Sequence, residues 1–208
     1  MEDYHKNCFK FDKKRDEIWK VIARYLQKYI PKNSKVLDLG AGYASFINNI
    51  NASEKHAVDI WGGLIKHTNA DVKAHIITCT DLSILKKNYF DVVFSSNLLE
   101  HLEIHNVIKT IDEIKNILKP EGVFIIIQPN YKYCKKVYFE DPTHKTIFTD
   151  ESLSNLLKEK GFKIKKIIPK FLPFSMKSKA PKSKLLLKLY LKLPIRPLAK
   201  QMLIICKK

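Results

Sequence analysis

Two groups of residues in this chain have types and spacing suited to chemistry. In the run Val36-Leu37-Asp38-Leu39-Gly40-Ala41-Gly42-Tyr43-Ala44, a carboxylate precedes two closely spaced glycines, directly after an apolar stretch. Glycine permits a tight turn and a close approach of backbone to ligand. A Gly-x-Gly loop after a first strand also occurs in dinucleotide-binding proteins, so the glycines alone leave the ligand open. Asp38 narrows the choice, because a carboxylate inside the loop repels a pyrophosphate and suits a cationic amino group. Asp59, with Ile60 beside it, falls about twenty residues further on, where ribose hydroxyls need an acceptor. Asp81 and Leu82 follow the next apolar stretch.

The second group is acid–base in character: Asn97-Leu98-Leu99-Glu100-His101-Leu102 and Asp141-Pro142-Thr143-His144. Reaction at a hydroxyl needs a base to take its proton, and histidine is the natural residue for that task. His144 is the first choice, since its loop is expected over the carboxyl ends of the strands, where ligands of open α/β sheets bind. His101 is the second; at the head of a helix that also carries Leu102 it equally suits packing or a hinge. Asp141, Tyr131 and Tyr133 would line an acceptor pocket, or brace the loop and cover the sheet. No compact carboxylate cluster with ligand-like spacing stands out, so no metal ligands are assigned. Cys8, Cys79, Cys134 and Cys206 are scattered without a C-x-x-C pair, which points to reduced, packed thiols rather than a zinc or redox motif.

The elements that must position these residues alternate between two periodicities. Apolar residues Ile18, Val21, Ile22, Tyr25, Leu26 and Tyr29 recur at three- and four-residue spacing, predicting an amphipathic helix over 12–29. Short apolar runs predict strands at 36–39, 55–60, 75–78, 90–95 and 123–128, separated by helix-like stretches such as 46–50 and 107–118. This alternation predicts a parallel sheet with helices on both faces. A long polar loop, 129–149, precedes a helix opening at Asp150, a sixth strand over 162–168 and a last strand over 201–206. With 208 residues and no repeat, a single domain is expected, carrying an N-terminal helical segment (1–30) and a basic helical insertion (172–200) before the last strand.

With the glycine loop, Val58-Asp59-Ile60, Thr80-Asp81-Leu82 and the stretch 90–102 in this order and spacing, the chain resembles the class I S-adenosylmethionine-dependent methyltransferases. The resemblance implies a Rossmann-like, doubly wound α/β fold whose mostly parallel seven-stranded sheet has its last strand antiparallel. It implies S-adenosyl-L-methionine as cofactor, with Asp38, Gly40 and Gly42 at the methionine part, Asp59 and Ile60 at the ribose, Asp81 and Leu82 at the adenine and Asn97 near the sulfonium. Ala44 stands where the family often has a third glycine. A longer pattern, Gln128-Pro129-Asn130-Tyr131, Asp141 to His144 and Phe171-Leu172-Pro173-Phe174, is similar to methyltransferases of bacterial surface-polysaccharide and lipid-linked glycan synthesis. It implies O-methylation of a sugar or a phosphate-linked group.

The charge of +17 is unevenly placed. All 21 acidic residues lie at or before Glu159, where 23 basic residues nearly balance them, whereas 15 basic residues and no acid follow from Lys160 onward. A basic C-terminal quarter suggests an anionic small-molecule or glycan acceptor, or an anionic membrane surface. Lys184, Lys188 and Lys192 form a stripe on a short helix within 181–193, which would lie at such a surface or pack on the enzyme as a lid. An RNA or protein substrate is the rival reading, but with Arg only at positions 15, 24 and 196 and few interleaved aromatics nucleic acid is disfavoured. A non-catalytic cofactor-binding partner of a glycan assembly complex is the other alternative. The start of the chain has no signal-peptide pattern and no apolar run approaches the roughly 20 residues of a spanning helix, so a cytoplasmic protein, peripheral at the inner membrane face, is expected. No pattern assigns an oligomeric state.

Overall fold

The computed structural model describes residues 11–173 and 183–208. Its strands are β1 (Lys35–Leu39), β2 (Glu54–Asp59), β3 (Val72–Ile76), β4 (Phe90–Ser96), β5 (Leu118–Pro129), β6 (Lys163–Leu172) and β7 (Gln201–Lys207). They form one sheet in the order β3-β2-β1-β4-β5-β7-β6. Strands β1 to β5 pair in parallel and β7 lies antiparallel to both its neighbours, as the sequence predicts. The helices are α1 (Lys13–Leu26), α2 (Ile104–Ile117), the single turn α3 (Tyr131–Cys134), α4 (Asp150–Glu159) and α5 (Lys184–Tyr190).

Side chains alternate across a strand, and here the alternation feeds two cores. Val36, Val92, Phe94, Ile125, Ile127, Leu203 and Ile205 face one side and meet Ile18, Val21, Ile22 and Leu26 of α1, with Leu187 of α5. Leu37, Leu39, Val93, Phe124, Ile126 and Ile204 face the other side and meet Val107, Ile111 and Ile114 of α2, with Leu153 and Leu157 of α4. The helix ends follow from local chemistry. The Asp12 carboxylate accepts from the Lys14 and Arg15 amides at the start of α1. Thr149 and Ser152 bond reciprocally to open α4, and Gly161 at φ +83° follows its end.

The structure departs from expectation between β1 and β2. In place of a helix over 46–50 there is one 3₁₀ turn, Ile47–Asn49. The Asn48 amide group donates to His67 O and its oxygen accepts from Asn69 N, so this side chain bonds across to the segment after β2 instead of facing solvent on a helix, while the Asn49 side chain donates locally to Ser45 O. At the other end, β6 runs on to Leu172 because Leu172 still pairs with Gln201.

The C-terminal charge also has a structural reading. β6 pairs only with β7. Its exposed Lys163, Lys165, Lys166 and Lys170, together with Pro169, are the residues that keep an open sheet edge from pairing with another chain. Lys160, Lys184 and Lys207 pair with Asp112, Glu17 and Glu121. Arg196 is buried and donates to Leu191 O and to the Tyr25 hydroxyl. Of the predicted helix over 181–193, residues 181 and 182 lie outside the described residues; the rest buries Leu187 and Leu191 against the core and leaves Leu185, Leu186 and Leu189 exposed. Among the described residues no helix is long and apolar enough to cross a membrane, and Cys79, Cys134 and Cys206 are free thiols in the interior.

Candidate active site

The carboxyl ends of β1, β2, β4 and β5 open into one cavity of about 630 Å³. Its wall includes Asp38, Gly40, Gly42, Asp59, Ile60 and Asn97, and it continues to His101, Asp141 and His144. The two groups of residues singled out in the sequence therefore meet in one space.

In the half beside β1 and β2, Gly40 sits at φ +75° and Gly42 at φ +53°, in the left-handed region that favours glycine. A Cβ on Gly40 would stand 3.1 Å from Leu98 Cδ1. Ala44 at φ +55° takes the same region with the smallest side chain. The loop amides are already engaged: those of Gly40 and Ala41 donate to Val58 O at 2.9 and 3.1 Å, and that of Gly42 donates to Asp59 Oδ2 at 2.8 Å. A pyrophosphate-binding loop needs such amides free and a helix N-terminus behind them; here the amides are spent and only a 3₁₀ turn follows. The site fits a cofactor that brings a cation rather than phosphates. Asp38 supplies the matching group. It is buried, and that burial, reinforced by the charge of Asp59 and opposed by a bond from the Ile47 amide, pushes its carboxyl up to about 8. An ammonium placed beside it would restore the carboxylate. Asp59 accepts from Gly42 N and Trp61 N and keeps lone pairs for ribose hydroxyls, while Ile60, 43 % exposed, offers an apolar face next to it.

Asp81 and Leu82 are not brought to the cavity wall. The chain reaches the wall at Ile77, Thr78 and Cys79, then turns away. The Asp81 carboxylate accepts from Ser83 N, and Leu82 is buried in the core beneath α2, its amide donating to Glu113 Oε2. Asn97, at φ +50° after β4, does line the cavity, and its oxygen accepts from the Gln201 amide group of β7.

The other half is closed by the segment 129–149, which folds as α3, a 3₁₀ stretch Lys135–Glu140 and an extended return. Asn130 anchors one end by donating to Asp150 and Pro169 O. At the other end the amides of Lys145 and Thr146 donate to Glu100 O and the Thr146 hydroxyl to Leu102 O. These bonds bring His144 to His101, ring centroids 4.9 Å apart. His101 ends a 3₁₀ turn, Leu99–His101, rather than opening a helix. Burial, with the charge of His144, holds its imidazole down to about 4, so it is neutral near pH 7. His144 Nδ1 lies 2.6 Å from Tyr138 O, an acceptor only, so Nδ1 carries the proton and Nε2 the lone pair. Asp141 accepts from Thr143 N and the Thr143 hydroxyl; burial opposes its ionisation, but these bonds and the two imidazoles hold it below the usual carboxylate range.

Tyr131 and Tyr133 do not reach the cavity: Tyr131 packs edge-on against Tyr138, and Tyr133 is exposed under Lys170. Tyr138, Lys145, Lys200, Arg15 and Trp19 line it instead. None of these carries a sequence signal, because their placement depends on how the long loop and α1 fold over the sheet. The sequence pattern assigns no metal ligands. Glu100, His101 and His144 each bring a ligand atom into a group spanning no more than 4.8 Å, an arrangement hidden by a separation of more than forty positions.

Comparison with known proteins accords with this geometry. Residues 11–167 match the family model described as a methyltransferase domain. The phosphoethanolamine N-methyltransferase of Plasmodium falciparum is 26 % identical over 147 residues, covering 64 % of this chain and 54 % of that protein, so the chain spans about half the length of this relative. A methyltransferase structure from Archaeoglobus fulgidus, described as S-adenosylmethionine dependent, superposes with a TM-score of 0.67 at 23 % identity, over 91 % of this chain and 94 % of that one. The N-methyltransferase NodS of Bradyrhizobium japonicum, solved with S-adenosylhomocysteine, gives a TM-score of 0.65 at 12 % identity over 91 % and 85 %. By its glycine loop, the acids of β1 and β2, its sheet order and the family match over most of its length, the chain belongs to the S-adenosylmethionine-dependent methyltransferase family.

Proposed function

We propose that the protein transfers the methyl group of S-adenosylmethionine to an anionic small-molecule or glycan acceptor, with O-methylation of a sugar or phosphate-linked group in surface-polysaccharide synthesis as the specific reading. The observation that carries it is the single cavity joining Asp38 and Asp59 to His101, Asp141 and His144, with Arg15, Lys145 and Lys200 on its wall. The cofactor supplies the electrophilic methyl group when bound. Asp38 would then neutralise its ammonium and Asp59 orient the ribose, fixing the cofactor relative to the acceptor half of the cavity. His144, with its lone pair on Nε2, would take the proton of an acceptor hydroxyl, and Lys145 and Lys200 would hold an acceptor phosphate or carboxylate.

A second reading, N-methylation of a phosphorylated amine, is favoured by the activity for which the Plasmodium relative is named. Lys145 and Lys200 would hold its phosphate in the same way. For the segment 181–193 the exposed Leu185, Leu186 and Leu189 next to Lys188 and Lys192 support peripheral contact with an anionic membrane from the cytoplasmic side. Incubation with methyl-labelled cofactor and separate pools of nucleotide-sugars, lipid-linked sugars, phosphoethanolamine and RNA tests the assignment. Label in a sugar pool supports the first reading and label in phosphoethanolamine the second. Transfer only to RNA overturns both, and cofactor binding without turnover on any pool would make the protein a non-catalytic binding partner.

A further inference from the structure

We propose that Glu100, His101 and His144 form a divalent-metal site on the acceptor side of the cavity, taking a borderline transition cation such as Mn²⁺, Fe²⁺ or Zn²⁺. One ligand atom from each lies within 4.8 Å of the others. Metal–ligand bonds of about 2.1 Å put neighbouring donors roughly 3 to 3.5 Å apart, so the three side chains close on an ion with shifts of about an ångström.

Glu100 carries the argument furthest. It is 1 % exposed and lines the cavity, and neither of its carboxylate oxygens has a hydrogen-bond partner among the described residues. Buried polar groups are normally paired, and a carboxylate left without a donor is among the costliest exceptions. The neighbouring carboxylate, Asp141, supplies no donor to it, whereas a cation between Glu100 and the two imidazoles would satisfy it.

The two imidazoles are set up as ligands. His144 gives its Nδ1 proton to Tyr138 O, which leaves Nε2 basic. The Thr143 hydroxyl spends its one proton on Asp141 Oδ1 at 2.5 Å, so its oxygen can only accept from His101 Nδ1 at 2.8 Å. His101 is thereby fixed in the same tautomer, with Nε2 as its basic nitrogen. Outer partners of this kind, a backbone carbonyl behind one histidine and a hydroxyl–carboxylate relay behind the other, are what orient metal-bound imidazoles. Two imidazoles with one carboxylate select first-row transition cations over Ca²⁺ or Mg²⁺, and three protein ligands leave coordination positions open.

The role of the ion rests on the methyl-transfer reading, whereas its binding does not. An acceptor oxygen in an open position is acidified by the cation. Its proton passes to solvent, the oxygen–methyl bond forms as the sulfur–methyl bond breaks, and no electron is gained or lost. His144 then acts through the ion rather than as the base itself.

The test uses the full chain, stripped with a chelator and titrated with Co²⁺ as a spectroscopic probe, followed by Mn²⁺ in calorimetry. One saturable equivalent with visible ligand-field bands is expected, weakened at least tenfold in both Glu100→Gln and His144→Ala. Cofactor affinity within twofold of the parent in His144→Ala certifies that this variant is folded, should Glu100→Gln fail to fold. No saturable equivalent, or binding equal in parent and His144→Ala, overturns the site. Metal bound as expected with no transfer to any acceptor overturns the proposed function and leaves the site standing; transfer that survives full chelation overturns the ion's role in it.

Discussion

The backbone amide of Gly42 donates to the carboxylate of Asp59 over 2.8 Å, a bond that ties the loop leaving β1 to the tip of β2. Asp59 is thus the strut of the loop after β1, and the ribose contact proposed for it would draw on the same carboxylate. Asp59→Ala should weaken cofactor binding by tenfold or more, roughly 1.4 kcal/mol, and Asp59→Asn, which still accepts from Gly42, should weaken it less. Calorimetry decides, and equal losses in the two variants would show that the strut contributes nothing.

Gly40 combines a φ of +75° with a Cβ position 3.1 Å from Leu98 Cδ1. Gly40→Ala should cost about 1–3 kcal/mol from backbone strain and crowding together, or a melting temperature lower by several degrees in a domain of this size. Combining it with Leu98→Ala should remove the contacts with the Leu98 methyls but leave the 3.3 Å contact with its Cβ and the strain, giving a non-zero coupling in a double-mutant cycle. A Gly40→Ala protein that melts with the parent contradicts this account.

The proton on Asp38 makes cofactor binding pH-dependent. Because burial raises its carboxyl to about 8 in the free fold, the folded chain holds a proton that the unfolded chain has released above the ordinary carboxylate range. Free-protein stability should therefore fall as pH rises from about 4 to about 8. Cofactor affinity should rise over the same window, since the ammonium requires the ionised form. Calorimetry at pH 7 in buffers of different ionisation enthalpy should report a proton released on binding, absent in Asp38→Asn; buffer-independent heats in the parent would refute it.

The basic C-terminal quarter should separate into two classes by experiment. Replacing Lys163, Lys165 and Lys166 of β6 together by threonine should promote self-association, seen by size-exclusion chromatography, with acceptor KM unchanged. Lys200→Ala should raise acceptor KM several-fold without self-association. The reverse pattern would mean that the sheet edge, not the cavity wall, recognises the acceptor.

The sheet and the cofactor half of the site were legible because they rest on local signals: apolar runs of alternating burial, a positive-φ glycine turn, and acids at the ends of β1 and β2. The short connection after β1 was not, since Phe46 and Ile47 read as a helix face until Asn48 is seen bonding across to His67 and Asn69. Asp81 was misplaced for a related reason: β3 ends at Ile76, so the turn that meets the cavity comes at Thr78 and Cys79. In the acceptor half, His144 and Asp141 lie on the cavity wall while Tyr131 and Tyr133 do not, because the path of a long loop is set by tertiary bonds such as those to the Glu100 carbonyl. Glu100 stood in a motif already noticed. Only its burial without a partner distinguishes it from an ordinary surface acid.

The loop over the acceptor half is fastened at both ends to residues outside itself, Asn130 to Asp150 and Pro169, and Lys145 and Thr146 to the β4 exit. Neither fastening touches Asp38, Gly40, Gly42 or Asp59. The exposed positions 135, 136, 139 and 140 between these clasps can therefore be varied while Tyr138, which accepts from His144 and donates to Thr146 O, is kept, which makes them the natural place to engineer specificity without disturbing the cofactor half.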